Sequence, residues 1–329
     1  MAYSGTVGQT SFNVRRVIDN AVRRCRIPVQ QITAETLDTA KDQLYLLLSS
    51  TANSKLPLWC VEKTIYPLYE GQPYITTYAG TVDILNANIR QLAQVTGTPT
   101  TSSSQIVTQF TTATQVTTVG VHWSAASPPG LEFARSNDGS SWTVIQIEAP
   151  TAAAGEWTWY DLDIAVAATY FRIRATSGTI SASETFLGNT PSSIPMGRLN
   201  RDDYTALPNL SSPGYKPLQY WLDRKAASPV MRLWPVPMAS TTYLQVVAWA
   251  HRHIMDIGSY SNDVEVPQRW LEAVVAMLAA KLAGSLPDVD PALAGQLDAK
   301  ADAALRDAQN EERDNSPMTI TPNISGYTR

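Results

Sequence analysis

The sequence has few charged residues and lacks any long apolar run. Charged side chains make up 16% of its 329 residues, against roughly 25% in ordinary globular proteins. No apolar stretch approaches the roughly 20 residues that a membrane-spanning helix needs. The first ten residues, MAYSGTVGQT, also lack the basic start and apolar stretch of a signal peptide. These absences predict a protein that is made in the cytoplasm and does not associate with membranes.

Cysteine and basic charge are equally scarce. Cys25 and Cys60 are the only cysteines, and both fall in apolar surroundings, so two buried thiols are expected rather than a disulfide or a metal site. The net charge is −4, and residues 91–190, with seven acidic and three basic side chains, account for all of it. A chain without a basic excess does not have the charge of a protein that holds nucleic acid by its phosphates.

Patterns of catalytic residues are also missing. The sequence contains no glycine-rich phosphate loop, no nucleophile elbow and no paired-histidine metalloprotease motif. His251 and His253 follow a predicted strand at a spacing that suits a metal pair, but no third ligand stands near them. We therefore expect no enzyme activity, no cofactor and no metal.

Helical periodicity occurs at both ends of the chain. Apolar residues recur at helical spacing over residues 11–26, and a second helix is predicted after Thr33, which suits its N-cap. Near the other end, helices are predicted after Pro267 and from Asp290-Pro291. Two helices from each end are expected to pack against one another.

The middle of the chain has a different composition. Residues 91–190 are rich in threonine, serine and valine, and no lysine occurs between Lys63 and Lys216. Short alternating runs separated by turn residues are typical of a β-sandwich. The predicted domains are therefore 1–90 and 191–313 as two halves of one mixed domain, 91–190 as an inserted sandwich, and 314–329 as an extended tail.

Two local segments predict turns. The stretch VMRLWPVPMASTTYLQVVAW, residues 230–249, predicts a hairpin with a stiff corner, because Pro235 and Pro237 cannot donate to a sheet. The stretch SNDGSSW, residues 136–142, is similar to a sialidase-type box but is one residue short and occurs once. A hairpin turn is favoured there, in which Asp138 bonds its own backbone and Trp142 enters the sandwich core.

The flanking halves resemble the head-to-tail adaptor proteins of tailed bacteriophages. The resemblance rests on the N-terminal helix pair, LPLWCVEKTIYPLYEGQPYI, RLNRDDYTALPN with GYKPLQYWLDR, MRLWPVPMASTTYLQVVAW and VEVPQRWLEAVVAMLAAKLA. It covers roughly residues 10–90 and 195–285. It implies an α+β fold, in which a helical-bundle adaptor domain with a small β-sheet is interrupted by an inserted all-β sandwich.

This resemblance also implies a function and partners. The chain would form a ring, commonly of twelve subunits, in the neck of a virion assembled in the host cytoplasm. The ring would dock on the portal protein, contact a tail nozzle or other tail proteins, and pass double-stranded DNA without sequence-specific binding. The C-terminal tail would bind the portal through Asn315, Pro317, Met318, Ile320, Ile324, Tyr327 and Arg329.

The inserted segment is similar to discoidin-like and carbohydrate-binding sandwiches through LEFARSNDGSSWTVIQ and WYDLDIAVAATYFRIRA. This similarity implies the alternative function, a carbohydrate-binding or cell-wall-acting tail component whose activity lies in the sandwich. An inert, solvent-facing decoration or a subunit contact is the other possibility left open. The candidate contacts with a glycan or a partner on the insert are Trp123, Trp157, Trp159 and Tyr160.

Overall fold

The structure, a computed structural model, describes residues 11–28, 32–53, 58–163, 166–225, 228–238, 244–286 and 289–312. Its contacts divide it into two compact units: the described residues up to Val61 together with those from Arg252 onward, and Glu62–His251. No helix in these ranges is long and apolar enough to span a membrane. The seven tail residues predicted to bind a portal lie outside the described residues.

Five α-helices and a short 3-10 helix (Leu58–Cys60) are present in the described residues. The α-helices are α1 (Val14–Arg24), α2 (Ala34–Asn53), α3 (Arg201–Thr205), α4 (Gln268–Ser285) and α5 (Pro291–Glu311). Side-chain caps set where four of them begin. For α3, Asn200 accepts from the Asp203 amide at 2.7 Å. Asn13 accepts from the Arg16 amide at 2.8 Å, Thr33 from the Thr36 amide at 3.2 Å, and Asp290 from the Ala292 amide at 2.9 Å.

The first unit is helical. A single apolar core joins α1, α2, α4 and α5, so helices from the two ends of the chain do pack together as predicted. Its buried side chains include Val17, Ile18, Leu44, Leu47, Val274, Leu278, Leu282 and Leu297. Cys25 and Cys60 are both buried, as expected for the two thiols.

The second unit is made almost entirely of strands. Its largest sheet has the order β1-β17-β3-β11-β6-β9, with β1 Val61–Pro67, β3 Thr81–Gln94, β6 Thr118–Trp123, β9 Trp157–Asp161, β11 Ala182–Pro195 and β17 Leu244–Arg252. A five-stranded sheet has the order β4-β5-β10-β7-β8, with β4 Thr98–Thr101, β5 Gln105–Thr114, β7 Leu131–Ser136, β8 Thr143–Glu148 and β10 Ala168–Ala175. These two sheets form the sandwich, whose core includes Val119, Val121, Trp123, Phe133, Phe171 and Ile173.

Two small sheets complete the unit. One has the order β12-β14-β15-β2, with β2 Tyr74–Thr76, β12 Gly197–Leu199, β14 Gln219–Asp223 and β15 Val230–Trp234. The other pairs β13 (Pro213–Gly214) with β16 (Val236–Pro237). The hairpin predicted over residues 230–249 is wrong, because β15 and β17 belong to different sheets. Pro235 and Pro237 have no amide hydrogen, and the chain leaves the first sheet at this point.

Two long strands connect the sandwich to the strands around it. β3 and β11 pair over Asn88–Gln94 and Gly188–Pro195, while the first half of β11 pairs with β6. The predicted domain boundaries at residues 90 and 190 therefore fall inside continuous strands. Whether residues 91–190 fold separately stays a prediction, and the contacts of the chain divide it at Val61 and Arg252 instead.

Gly120 lets an indole ring pack directly on the sheet. A Cβ atom at this position would lie 2.6 Å from Cζ3 of Trp159, well inside van der Waals contact. We expect Gly120→Ala to lower the free energy of unfolding by about 1–3 kcal/mol, as overpacking of a filled core does. Urea denaturation measures the loss. Gly197→Ala is the matched control, because its Cβ would lie 3.4 Å from Gln219, and an equal loss in both variants would contradict this explanation.

Candidate functional site

The four aromatic residues predicted to contact a glycan are largely in the interior. Trp123 is fully buried in the sandwich core, and Trp157 and Trp159 are each 8% exposed. Tyr160 is half-buried against Phe133, with ring centroids 5.1 Å apart. Burial raises the pKa of Tyr160 to about 12. These four side chains pack the fold, so an exposed binding surface has to be built from other residues.

The register of β6 and β9 explains where two of these indoles lie. Their antiparallel pairing sets His122 opposite Trp157 and Gly120 opposite Trp159. The imidazole and the two indoles form a stack, with centroids 5.2 Å apart at each step. Paired residues of adjacent strands lie on the same face of a sheet, so this stack follows one face of the six-stranded sheet.

Two tyrosines from the segment after β1 lie beside this stack and remain exposed. Tyr69 is 39% exposed and Tyr78 is 55% exposed. The Tyr69 hydroxyl oxygen accepts from the Trp157 amide at 3.3 Å. The Tyr78 ring stacks on Tyr66 at 4.9 Å, and its hydroxyl donates to the Ile65 carbonyl at 3.1 Å. Both rings are therefore held in place, although both residues remain partly exposed to solvent.

A carboxylate belongs to the same surface. Glu156 is exposed, and its Oε2 accepts from the Ala153 amide at 2.9 Å. Burial raises the pKa of Tyr69, and the Glu156 charge raises it further. Burial likewise raises the pKa of Tyr78, followed by its neighbours Tyr66 and Glu156. We call Tyr69, Tyr78, Glu156 and His122 the tyrosine rim.

His122 is held rigidly at this rim. Its Nε2 contacts the Gly155 carbonyl at 3.1 Å, and its Nδ1 contacts the Ser183 hydroxyl. Because a carbonyl oxygen can only accept, Nε2 carries the hydrogen and Nδ1 is left to face the serine. With both ring nitrogens engaged, His122 serves to orient the loop and the indole stack.

The turn at residues 136–142 behaves partly as predicted. Asp138 accepts from the backbone amides of Ser140 at 2.9 Å and Ser141 at 2.8 Å, and these bonds hold its pKa well below the usual range. Trp142 does not enter the sandwich core. It is half-buried, with the Arg172 guanidinium 4.4 Å from its ring centroid, because the end of the turn carries it to the outer face of the five-stranded sheet.

Metal ligands do not converge in the part of the chain that the structure describes. No group of three or more histidine, cysteine, aspartate or glutamate side chains there is arranged to hold an ion. His251 is buried and His253 is exposed, so the two histidines whose spacing suits a metal pair lie in different surroundings. The absence of a cofactor stays a prediction.

Comparisons with known proteins give similarity in structure alone. No family model and no curated protein sequence matches the chain. The structures that it matches include carbohydrate-binding modules. One is a CBM32 module from a family 31 glycoside hydrolase of Clostridium perfringens, at 15% identity and a TM-score of 0.24, covering 26% of this chain and 68% of that one.

Two further matches have the same character. A CBM32 module from Clostridium perfringens, solved in complex with GalNAc-β-1,3-galactose, is 12% identical with a TM-score of 0.23, covering 41% of this chain and 99% of that one. A chitosan-binding module from a chitosanase/glucanase of Paenibacillus sp. IK-5 is 18% identical with a TM-score of 0.23, covering 34% of this chain and 100% of that one.

The predicted head-to-tail adaptor is wrong, and with it the description of the chain as a connector or portal-binding protein. The three matching structures described above are carbohydrate-binding modules, and none of them is an adaptor. The resemblance rested on the order of apolar helices and strands in the flanking segments. Those segments build the helical core and a strand core, and packing alone accounts for their apolar patterns.

Sequence reasoning missed all four members of the rim, including His122. Tyr69 and Tyr78 precede the segment with sandwich composition, and Glu156 looks like an ordinary loop residue. Only the pairing of β6 with β9, and the path of the chain after β1, bring them together. The available signal was the density of tyrosine over residues 66–78, which carries four of them.

Proposed function

We propose that the Glu62–His251 unit binds carbohydrate at the tyrosine rim, and we assign it no reaction. One observation carries the proposal: two exposed tyrosine rings, with anchored hydroxyls, lie beside an exposed carboxylate. Ligand sites combine aromatic surface with a few convergent polar groups in this way. A pyranose ring presents an apolar C–H face that packs on an aromatic ring and hydroxyl groups that donate to a carboxylate.

The rings are suited to binding because they are already ordered. Tyr78 is stacked on Tyr66 and Tyr69 bonds the Trp157 backbone, so little side-chain freedom remains to be lost. Aromatic side chains supply large contact area at low entropic cost, and preorganisation of this kind favours affinity.

Glu156 supplies the polar part of the site. One carboxylate oxygen, Oε2, is used by the Ala153 amide, which fixes the side chain. The other, Oε1, makes no hydrogen bond to any residue that the structure describes, so it is open to a ligand hydroxyl. A carboxylate that accepts from a neutral hydroxyl forms a charge-assisted bond, which is stronger than a neutral one.

The proposal is tested on the full chain with a glycan array, followed by calorimetry with the best glycan. We expect Tyr78→Ala to weaken binding by about tenfold or more, equivalent to about 1.4 kcal/mol, because an exposed aromatic ring is lost. Tyr78→Phe should retain most of the affinity. Tyr45→Ala, which removes a tyrosine of 48% exposure from α2, should leave the affinity unchanged.

Two outcomes would contradict the proposal. A wild-type chain that binds no glycan would overturn it, and equal losses in Tyr78→Ala and Tyr45→Ala would exclude this surface. A Glu156→Gln variant then separates the two parts of the site, since it should weaken binding while leaving the aromatic stack intact.

A further inference from the structure

The helical unit has an open groove between α1 and α4, and this groove is independent of the tyrosine rim. Its volume is about 590 Å³, within the range of roughly 300–1,000 Å³ typical of ligand sites. All the residues that line it belong to α1, α4 or the chain just before α1. The groove therefore lies wholly within one unit.

The floor of the groove is apolar. Leu271 and Val275 are four residues apart on α4 and both are buried, so they form one stripe along that helix. Phe12 closes one end and is only half-buried. A ligand that fills this groove would cover apolar surface along about one turn of helix.

One wall of the groove is basic. Asn20, Arg23 and Arg24 follow one another at helical spacing on α1. Arg23 is exposed and forms no ion pair with any residue that the structure describes. Arg24 crosses the groove to Glu272, with Nη2 2.6 Å from Oε2, and that carboxylate is 70% exposed. An acidic ligand could therefore pair with the Arg23 guanidinium directly, and with Arg24 by competing with the exposed Glu272.

The charge of α1 differs from that of the chain. The helix VRRVIDNAVRR carries four arginines and one aspartate, whereas the whole chain has a net charge of −4. Arg16 lies in the first turn of this helix, with its guanidinium 4.1 Å from the Phe12 ring centroid. An apolar floor beside a cationic wall is complementary to a ligand with one apolar and one acidic face.

We infer that this groove binds an acidic amphipathic segment of a partner protein. Apolar side chains of the segment would lie on Leu271 and Val275, and its carboxylates would pair with Arg23 and Arg24, as in other helix-in-groove complexes. Duplex DNA fits poorly, because phosphate contacts need an accessible basic surface and gain nothing from a recessed apolar floor. Residues 1–10 of this chain contain no acidic side chain and do not match the charge.

The test measures peptide binding to the full chain by fluorescence anisotropy. The probe is a labelled helical peptide of about 15 residues, long enough to form a helix, with a leucine stripe flanked by glutamates. The matched peptide has lysine at every glutamate position. We expect the glutamate peptide to bind and the lysine peptide not to bind. Arg23→Glu should weaken the binding tenfold or more. The melting temperature should fall by a few degrees at most, because Arg23 is exposed but lies in the last turn of α1, where an acidic residue opposes the helix dipole.

Arg306→Glu is the matched control, since it makes the same charge change at an exposed arginine on α5. It should leave the affinity within a factor of two. The inference is overturned if wild-type protein does not bind the glutamate peptide, if both peptides bind alike, or if Arg306→Glu weakens binding as much as Arg23→Glu. If the protein self-associates and Arg23→Glu abolishes that self-association, the groove is filled by a second copy of this chain. If deletion of residues 1–10 strengthens peptide binding tenfold, that segment fills the groove in the full chain. Either of these two results would contradict the inference.

Discussion

Asp161→Ala is expected to lower the free energy of unfolding of the Glu62–His251 unit by about 3 kcal/mol. Removal of one partner from a buried ion pair typically costs about 3–5 kcal/mol, because the other charge is left without compensation. The lower end applies here, since 26% of the Asp161 side chain is exposed, although only 7% of Arg90 is. Chemical denaturation, with hydrogen exchange in β3, β6 and β9, measures the loss.

The geometry explains why this aspartate matters more than a surface carboxylate. Arg90 donates to both of its oxygens, from Nη1 at 3.0 Å and from Nη2 at 2.7 Å. Arg90 also donates to Gln245 on β17, while Thr118 on β6 donates to Asp161. Lys63 on β1 reaches the same carboxylate. Side chains from five of the strands in the six-stranded sheet therefore share one hydrogen-bonded network.

The contribution of Asp161 depends on pH with a definite sign. Burial alone would raise the pKa of Asp161, but hydrogen bonds from Arg90 and Lys63, and their charges, outweigh it and leave the pKa below its ordinary value. A carboxyl whose pKa is lower in the folded state stabilises the fold above its unfolded pKa, about 3.9 for aspartate. The stabilisation is lost as the pH falls through the folded pKa. The stability difference between wild type and Asp161→Ala should therefore shrink below about pH 4.

Lys63→Met is the matched control for the same carboxylate. The Lys63 side chain is 43% exposed, and exposed ion pairs contribute about 0–1 kcal/mol. We expect its loss to be several times smaller than that of Asp161→Ala. Equal losses in the two variants, or a difference from wild type that persists unchanged at low pH, would show that the buried pair with Arg90 is not the source of the stabilisation.

Local signals in the sequence predicted the helices and the presence of a sandwich. Helical spacing and capping residues such as Thr33 and Asp290 act within one turn, so they can be recognised without knowledge of the fold. Alternation of apolar and polar residues likewise predicts strands within residues 91–190. These features depend on neighbours along the chain, and the structure confirms them.

Features that depend on distant residues could not be predicted. The composition changes near residue 91, yet β3 runs through that point because its partner in the sheet, β11, continues on the other side. The burial of Trp157 and Trp159 could not be predicted either. Trp157 and Trp159 alternate with Thr158 as surface aromatics of a strand would, but their face of the sheet is covered by Leu92, Phe186 and Ile65.

Resemblance misled the functional prediction for a related reason. The segments similar to phage adaptors are apolar helices and strands without a chemical signature. Such patterns show only that one side of a helix or strand is buried, and this is true of many unrelated folds. The tyrosine rim depends instead on side chains that are far apart in the sequence, from residues 66–78, His122 and Glu156, and that the fold brings together. No single segment of the sequence contains that information.

Trp270→Ala is expected to lower the free energy of unfolding of the helical unit by about 3–5 kcal/mol, as large-to-small changes of buried aromatic residues do. Trp270 is fully buried on α4, and its ring packs edge-on against Trp59 at 5.2 Å. Its Nε1 donates to Glu312 Oε2 at 3.1 Å, and Glu312 also accepts from Arg269. Hydrogen exchange in α4 and α5 measures the loss.

Trp270→Phe separates packing from hydrogen bonding at this position. Phenylalanine keeps most of the ring in the core but removes the indole donor from Glu312, whose side chain is only 2% exposed. Loss of a partner by a buried polar group costs about 1–3 kcal/mol, and more where the group is charged. Because Arg269 still pairs with this carboxylate, the cost should stay within that range and below that of Trp270→Ala. Equal losses in the two variants would mean that the bond to Glu312, which joins α4 to the end of α5, stabilises the unit more than the ring itself. A loss in Trp270→Ala no larger than that of a surface substitution would contradict the assignment of Trp270 to the core.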